Sequence, residues 1–400
     1  MRKLLSILTF LFSVTACIYP YTPELDQAPE GVLTVDASIS IGETSTVLLG
    51  LLSSLYPTET TADLYENSWK KPDLNEAVVW VEDDAGEVYT GKKTSFPSVY
   101  YSTYFGTYAF FTIPTENAPE DRRYRLGIQV MDATYTSEWS DLLDPPVIRD
   151  ILFTADDRFV NVSVSVDGGT EATGYLLLSY EETWEFHVDY VPSFSVQYDE
   201  ATNYWNIQPS DRDYSRYWCW MTFSNDRSFP VDYTAMSSSG VTSFPLFRFS
   251  RENNRNHRRY CVNVKAKILS RETYRFLKNQ EDNTEGGDNL FTPTPGEIAS
   301  NIWCESDPER MVFGYALFSK SASKRAWLDS RYKISTPPFR LYYLQKDAYK
   351  SYYGAGYLPL EENEDPKENE GPFGWGPKRC YDCTAAGGSL DKPPYWDETE

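Results

Sequence analysis

Between Val160 and Asp167 the chain sets Val160, Val162, Val164 and Val166 in strict alternation with Asn161, Ser163, Ser165 and Asp167. A period of two puts the valines on one face of an extended strand and the polar residues on the other, which a helix of 3.6 residues per turn cannot do. Gly168 and Gly169 close the run as a turn. The alternation returns at Tyr124, Leu126, Ile128 and Val130, spaced by Arg125, Gly127 and Gln129, before a turn at Asp132-Ala133 that leads to Tyr135 and Trp139. Val32 to Ile39, Ala77 to Glu82 and Glu87 to Tyr89 also read as strands, and Asp83-Asp84-Ala85-Gly86 has hairpin-turn chemistry. Aromatic residues make up 16% of the chain, with 31 Tyr and 11 Trp, a content that half-buried pleats accommodate well. The sequence predicts a mainly β protein.

Residues 31–145 carry short strands with regular turn punctuation, which predicts an N-terminal immunoglobulin-like β-sandwich able to fold alone. Within it Leu51 to Asp73 reads as a long polar loop. Asp144-Pro145-Pro146 marks a boundary, because paired prolines suit neither a helix interior nor a central strand. Residues 146–400 then form a second, larger β-rich domain, with strands through Tyr175 to Leu178 and Trp184 to Val191. One short helix is expected from Arg271 to Gln280, with Ser270 as N-cap and Tyr274 and Leu277 on one face, ending in the polar loop Glu281 to Gly287. Glu361 to Glu370 is an acidic run with Pro366, read as a solvated loop and a secondary candidate for a partner surface.

The N-terminus carries an address. Arg2 and Lys3 precede an apolar stretch from Leu4 to Val14 that is too short to span a bilayer permanently, as expected of a secretory signal over residues 1–16. It closes on Val14-Thr15-Ala16-Cys17, a lipobox, in which small residues precede a cysteine whose sulfur accepts diacylglycerol. Cys17 is therefore the expected lipidation site, and its acyl chains make the membrane the first partner of the chain. Residues 17–30, with Pro20, Pro23 and Pro29, read as an extended tether. Outer-membrane localisation is the expectation, facing the cell surface, with the periplasmic face as the alternative.

A formal charge of −22 and a pI near 4.6 exclude a nucleic-acid partner on electrostatic grounds. The sequence has two histidines, His187 and His257, and lacks HExxH, GxSxG, P-loop and GxGxxG patterns. No catalytic residue, metal site or cofactor is assigned, so the chain is not expected to be an enzyme, and no small-molecule ligand is specified. With Cys17 lipidated, Cys219, Cys261, Cys304, Cys380 and Cys383 remain. Cys380-Tyr381-Asp382-Cys383 has CxxC spacing, but no second CxxC or nearby histidine completes four zinc ligands. A disulfide is expected to involve this pair, either locally or with Cys219 or Cys304.

Four stretches carry a resemblance. They are Val78 to Gly86, Ile268 to Tyr274, Pro295 to Ile302 leading to Val312-Phe313-Gly314-Tyr315, and Cys380 to Gly388 ending at Pro394-Tyr395-Trp396. In this order, behind a lipobox, they resemble domain of unknown function 4249, a family of lipoproteins of Bacteroidota-type bacteria. The chain departs from the pattern at Trp303 and Cys304, where a small polar turn is expected. The resemblance implies no catalytic residues; it implies an accessory lipoprotein that accompanies a TonB-dependent transporter. The expected function is thus a lipid-anchored accessory that binds or assists such a transporter or its ligand. A structural or adhesive envelope lipoprotein is the alternative, and a polymer-degrading hydrolase the third class.

Overall fold

The computed structural model describes residues 32–397 apart from 52–73, 96–107, 168–173, 203, 226–228, 233–240, 286–299, 330–331 and 335–336. The signal, Cys17 and the tether lie outside the described residues, as do the loop after Leu51, the Gly168-Gly169 turn, Gly286-Gly287 and residues 295–299.

The first eight strands are β1 (Leu33–Ser40), β2 (Thr44–Leu51), β3 (Val78–Asp83), β4 (Val88–Thr90), β5 (Lys92–Thr94), β6 (Tyr108–Pro114), β7 (Tyr124–Val130) and β8 (Ala133–Ser137). Alternation decides what they bury. Tyr124, Leu126, Ile128 and Val130 of β7 all turn inward, as do Leu33, Val35, Ala37 and Ile39 of β1. Asp83 fixes the hairpin between β3 and β4, since its carboxylate accepts the Ala85 and Glu87 N–H groups at 3.0 and 2.9 Å and Arg122 at 2.6 Å. Gly86 turns the chain there at φ 88°.

The chain continues through β9 (Ile148–Ala155), β10 (Phe159–Asp167), β11 (Tyr175–His187), β12 (Phe194–Asp199), β13 (Tyr204–Pro209) and β14 (Trp218–Ser224). Next come β15 (Phe229–Asp232), β16 (Val241–Ser250), β17 (Arg259–Ile268) and helix α1 (Arg271–Glu285). The sheet β16-β10-β9 packs on β14-β11-β17-β20, where β20 is Ala322–Asp329, and the four valines of β10 are wholly inside. Helix α1 begins where expected, with Ser270 Oγ accepting the Thr273 N–H at 3.1 Å, and runs five residues beyond Gln280. Tyr274 and Leu277 pack against Tyr175, Leu177 and Leu269.

The first sandwich is not contiguous in sequence. After α1 the chain returns to it as β18 (Ile302–Cys304) on the edge of β8 and β19 (Val312–Ser319) on the edge of β1. The β1–β19 ladder is parallel over eight residue pairs, Leu33↔Val312 to Ser40↔Ser319. Gly314 faces Val35, where a Cβ would come within 1.8 Å of the Val35 carbonyl oxygen, so only glycine lets the strands approach. Ile302, Cys304, Val312, Ala316 and Phe318 join the same core as β1–β8. The division at 145/146 is therefore corrected: residues 31–145 supply most of the first sandwich, and 302–319 complete it. Trp303 and Cys304 lie in a strand rather than a turn. Only Lys320 and Ser321 then separate β19 from β20 in the second sandwich.

Registers also order the ends. Leu33, Leu51, Tyr108 and Val312 lie together at the end of the first sandwich where the chain enters from residue 32. The Met131-Asp132 hairpin tip is at this Leu33 end too, since Arg310 reaches Asp132 at 3.7 Å; Met131 holds a left-handed φ of 53°. At the opposite end Glu43 meets Lys265 at 2.9 Å and Ser321 at 2.9 Å, while Ser40 accepts Lys267 at 2.6 Å. These contacts join the second sandwich through the Ile268 end of β17, so the His187 end of β11 lies away from the first sandwich and its Leu33 end.

That far end carries a third unit. The β12–β13 hairpin packs beside a small sheet of β21 (Tyr342–Tyr343), β23 (Phe373–Gly376) and β22 (Leu358–Glu362), with helix α2 (Tyr349–Gly354) between. The expectation of one short helix is corrected by α2. Its Tyr-Lys-Ser-Tyr-Tyr-Gly sequence has weak helix propensity, and Tyr349, buried 4.6 Å from the Trp375 ring, holds it by packing.

A fragment of residues 31–145 is expected to lack a cooperative thermal transition, whereas the same fragment fused to residues 300–321 should regain one. Calorimetry on the two fragments checks this, and a cooperative transition in the shorter piece would refute it.

Candidate functional site

The distal unit is an aromatic cap. Tyr198 and Trp205, cross-strand partners in the β12–β13 hairpin, stack at 4.3 Å. Trp205 points its plane edgewise to Tyr349, Tyr353 and Trp375 at 5.7, 5.4 and 6.4 Å, so the hairpin is nailed to α2 and β23 by rings. Beside it Tyr342, Tyr352 and Tyr357 form a second group with centroids 5.0–6.1 Å apart. Trp375 is wholly buried, while Tyr204, Tyr342 and Tyr353 stay exposed, which makes a surface of tyrosines on a rigid base. Lys350 bridges Glu200 at 3.3 Å and lies 5.7 Å from the Tyr198 ring.

The acidic run borders this surface. Glu361 and Glu362 end β22, and the chain returns at Phe373 through a hairpin loop in which Asn363 Nδ2 donates to Glu370 at 3.4 Å and to the Gly371 carbonyl at 3.2 Å. Burial, with Glu361 and Asp189 nearby, pushes the Tyr190 phenol up to about 12. Its hydroxyl donates to the Phe339 carbonyl at 2.8 Å, and Phe339 N–H donates to Asp189 at 2.9 Å, which ties the cap to the end of β11.

Both histidines sit at this attachment. The His187 and His257 rings stack at 4.5 Å, with Tyr217 on the other side of His187 at 5.2 Å and Trp218 edgewise at 5.0 Å. The pairing of His187 with His257 is long-range and left no local signal in the sequence. Burial first, then the charges of His187 and Lys333, push the His257 imidazole down to about 4.

A disulfide joins Cys219 of β14 to Cys383. Of the four disulfide candidates, Cys380 and Cys304 are corrected: both keep buried thiols, Cys380 against Leu341 and Leu360 and Cys304 in the first core. The CxxC pair forms no local bridge, because Cys380 faces the cap while Cys383 faces the second sandwich. Burial raises the Cys380 thiol to about 11. Between them Asp382 is buried, and hydrogen bonds from Thr384 with the Arg216 and Lys378 charges outweigh that burial and hold its carboxyl low. From Cys383 the chain runs as a strap over the second sandwich. It pairs Ser389 with Trp220, bonds Tyr395 to Thr183 at 2.9 Å and buries Trp396 against Trp327 at 5.1 Å. Arg259 lies 3.7 Å from the Trp327 ring and donates to the Trp396 carbonyl.

A charged cleft of about 540 Å³ lies at the junction of the sandwiches, lined by Asp84, Asp121, Asp141, Asp144, Arg123 and Lys320 among others. Its cations are engaged: Arg123 with Asp84 at 3.4 Å and Lys320 with Asp144 at 2.6 Å. Among the described residues no three His, Cys, Asp or Glu side chains gather as metal ligands, and no helix is long and apolar enough to cross a membrane.

Two outcomes follow from this geometry. Cys383→Ser frees the strap and reopens a long loop, so urea denaturation should show a loss of about 2–5 kcal/mol; an unchanged midpoint would show that the packing of Trp396 suffices. For His257 the folded ring titrates near 4, below its ordinary 6.5. The unfolded chain therefore takes up the proton first, and stability that is full above 6.5 falls as pH drops through about 4. His257→Gln should remove roughly 1–2 kcal/mol of that acid loss, after allowance for its partial exposure. Denaturation midpoints compared at pH 7 and pH 4.5 read the difference, and equal losses in both proteins would contradict it.

Among curated proteins none matches. Of solved structures, the chain is similar to a DUF4785 family protein from Legionella pneumophila, with 10% identity over 58% of this chain and 52% of that one and a TM-score of 0.18. The chain thus spans about half of that structure's length. The pattern described as "Domain of unknown function (DUF4249)" matches residues 18–325, most of the first two sandwiches, and the chain belongs to this family.

Proposed function

We propose that the chain is a lipid-anchored envelope accessory protein that holds its aromatic cap outward, toward a TonB-dependent transporter or that transporter's ligand. One observation carries the reading: the end of β1 that receives the N-terminal segment and the end of β11 that bears the cap lie at opposite extremes of the strand registers. An anchor on Cys17 would then present the tyrosine surface away from the bilayer. Confinement to a membrane plane raises the effective concentration of a partner in the same membrane, so a modest patch of rings suffices for binding. Exposed Tyr204, Tyr342 and Tyr353 supply large contact area with few rotatable bonds, and the acidic hairpin beside them disfavours anionic partners.

The reading assigns no catalysis. The carboxylates of the charged cleft that meet cations are paired with them, and the two histidines stack on one another. An adhesive envelope lipoprotein is the second reading, favoured by the same exposed tyrosines.

Affinity purification in mild detergent separates the two. The accessory reading expects a β-barrel protein in stoichiometric amount, reduced severalfold by Tyr204→Ala, the most exposed of the three rings, without change in thermal midpoint. A solitary lipoprotein would sink it. Cys17→Ala should release the chain from the membrane fraction, and an unchanged fractionation would remove the anchor from the proposal.

A further inference from the structure

We infer that the tether end of the first sandwich is a membrane-contact surface, with Met131 and Met311 resting at headgroup level in the bilayer that holds the anchor. The inference rests on the anchored reading of Cys17 and adds a face that the lipid alone does not specify.

Four observations converge on it. The N-terminal segment outside the described residues ends at residue 31, so the chain enters the fold at the Leu33 end of β1, opposite the second sandwich. Only residues 18–31 lie between Cys17 and this end in the sequence, so an anchor on Cys17 places no other part of the fold nearer the bilayer along the chain. Met131 is 68% exposed, Met311 47% and Val78 46%, and all three are at this end: Val78 pairs with Gln129 next to the β7–β8 tip, and the Arg310–Asp132 contact brings the Met311 loop to the same tip. Met131 occupies a left-handed backbone position that glycine or asparagine would fill with less strain, and nothing in the first core uses its side chain. An unbranched, apolar side chain held out at a strained tip is accounted for by an apolar medium outside the protein.

The chemistry of the medium follows from the charges around the tip. Asp132, Asp307 and Glu309 surround Arg310, and the chain carries a net charge of −22, so attraction to anionic headgroups is excluded as the source of binding. Contact comes from apolar burial in a zwitterionic interface and should not weaken with added salt.

Methionine oxidation reads this on the native sequence. The chain from residue 17 is coupled through the Cys17 thiol to a maleimide lipid in phosphatidylcholine–phosphatidylethanolamine vesicles; Cys261, Cys304 and Cys380 are buried. Both the tethered and the free chain are then exposed to dilute peroxide, and sulfoxide formation is followed by peptide mass spectrometry. Met131 and Met311 should oxidise severalfold more slowly on vesicles, at low and high salt alike, while half-buried Met221 in the second sandwich keeps its solution rate. Solution rates for Met131 and Met311 on vesicles overturn the inference. Protection in native membranes but not on vesicles also overturns it, since a protein then covers this end. Because the tether is imposed chemically, an unlipidated Cys17 in the native protein would sink the anchored function and leave this measurement of the surface intact.

Discussion

The parallel ladder between β1 and β19 holds the molecule in its arrangement. Strand β1 is the first described element and β19 lies some 280 positions later, so the ladder closes a loop that contains nearly all of the second sandwich. Loop closure over such a distance is entropically costly, but the cost grows only slowly with length. It is offset by eight backbone pairs and by burial of Val312, Ala316 and Phe318 in the first core. Gly314 makes the ladder possible, since any side chain there would collide with Val35.

From that closure the polarity of the molecule follows. Strand β19 leaves the first sandwich at Ser319 and enters the second at Ala322, so the two cannot be separated by a flexible linker at this crossing. Glu43, Lys265, Lys267 and Ser321 pack into the joint. Burial pushes the Lys267 amine down to about 8, the cost of placing a cation between sheets with two serine hydroxyls beside it. At the other end of β11 the histidine stack, the Cys219–Cys383 bond and the strap to Trp396 fasten the cap. First sandwich, second sandwich and cap therefore follow one another through the joint at Glu43 and the His187 end of β11.

The local part of this arrangement was legible. Alternation located β7 and β10 to within a residue, Ser270 marked the start of α1, and Asp83 to Gly86 formed the expected hairpin. What escaped was non-local. The run Val312 to Phe318 has the apolar character of a buried strand, but nothing in it names β1 as its partner, and strand pairing is decided by tertiary fit. The cap escaped because its order comes from ring packing among Trp205, Tyr349 and Trp375, three residues far apart in sequence. A density of tyrosine and tryptophan between 342 and 375 was the available signal, and composition alone did not resolve it into a unit. Disulfide connectivity likewise depends on which core each cysteine faces, so CxxC spacing misled for Cys380 and informed for Cys383.

The most direct measurement is the height of the cap above the bilayer when Cys17 is coupled to a lipid. A fluorophore placed at Tyr342→Cys and quenched by acceptor lipids reads that height. Two stacked sandwiches of extended strands set it at more than about 50 Å, so energy transfer to the bilayer should be weak. Strong transfer, placing residue 342 within about 20 Å of the headgroups, would mean that the molecule lies flat on the membrane and that the cap is not its outward face.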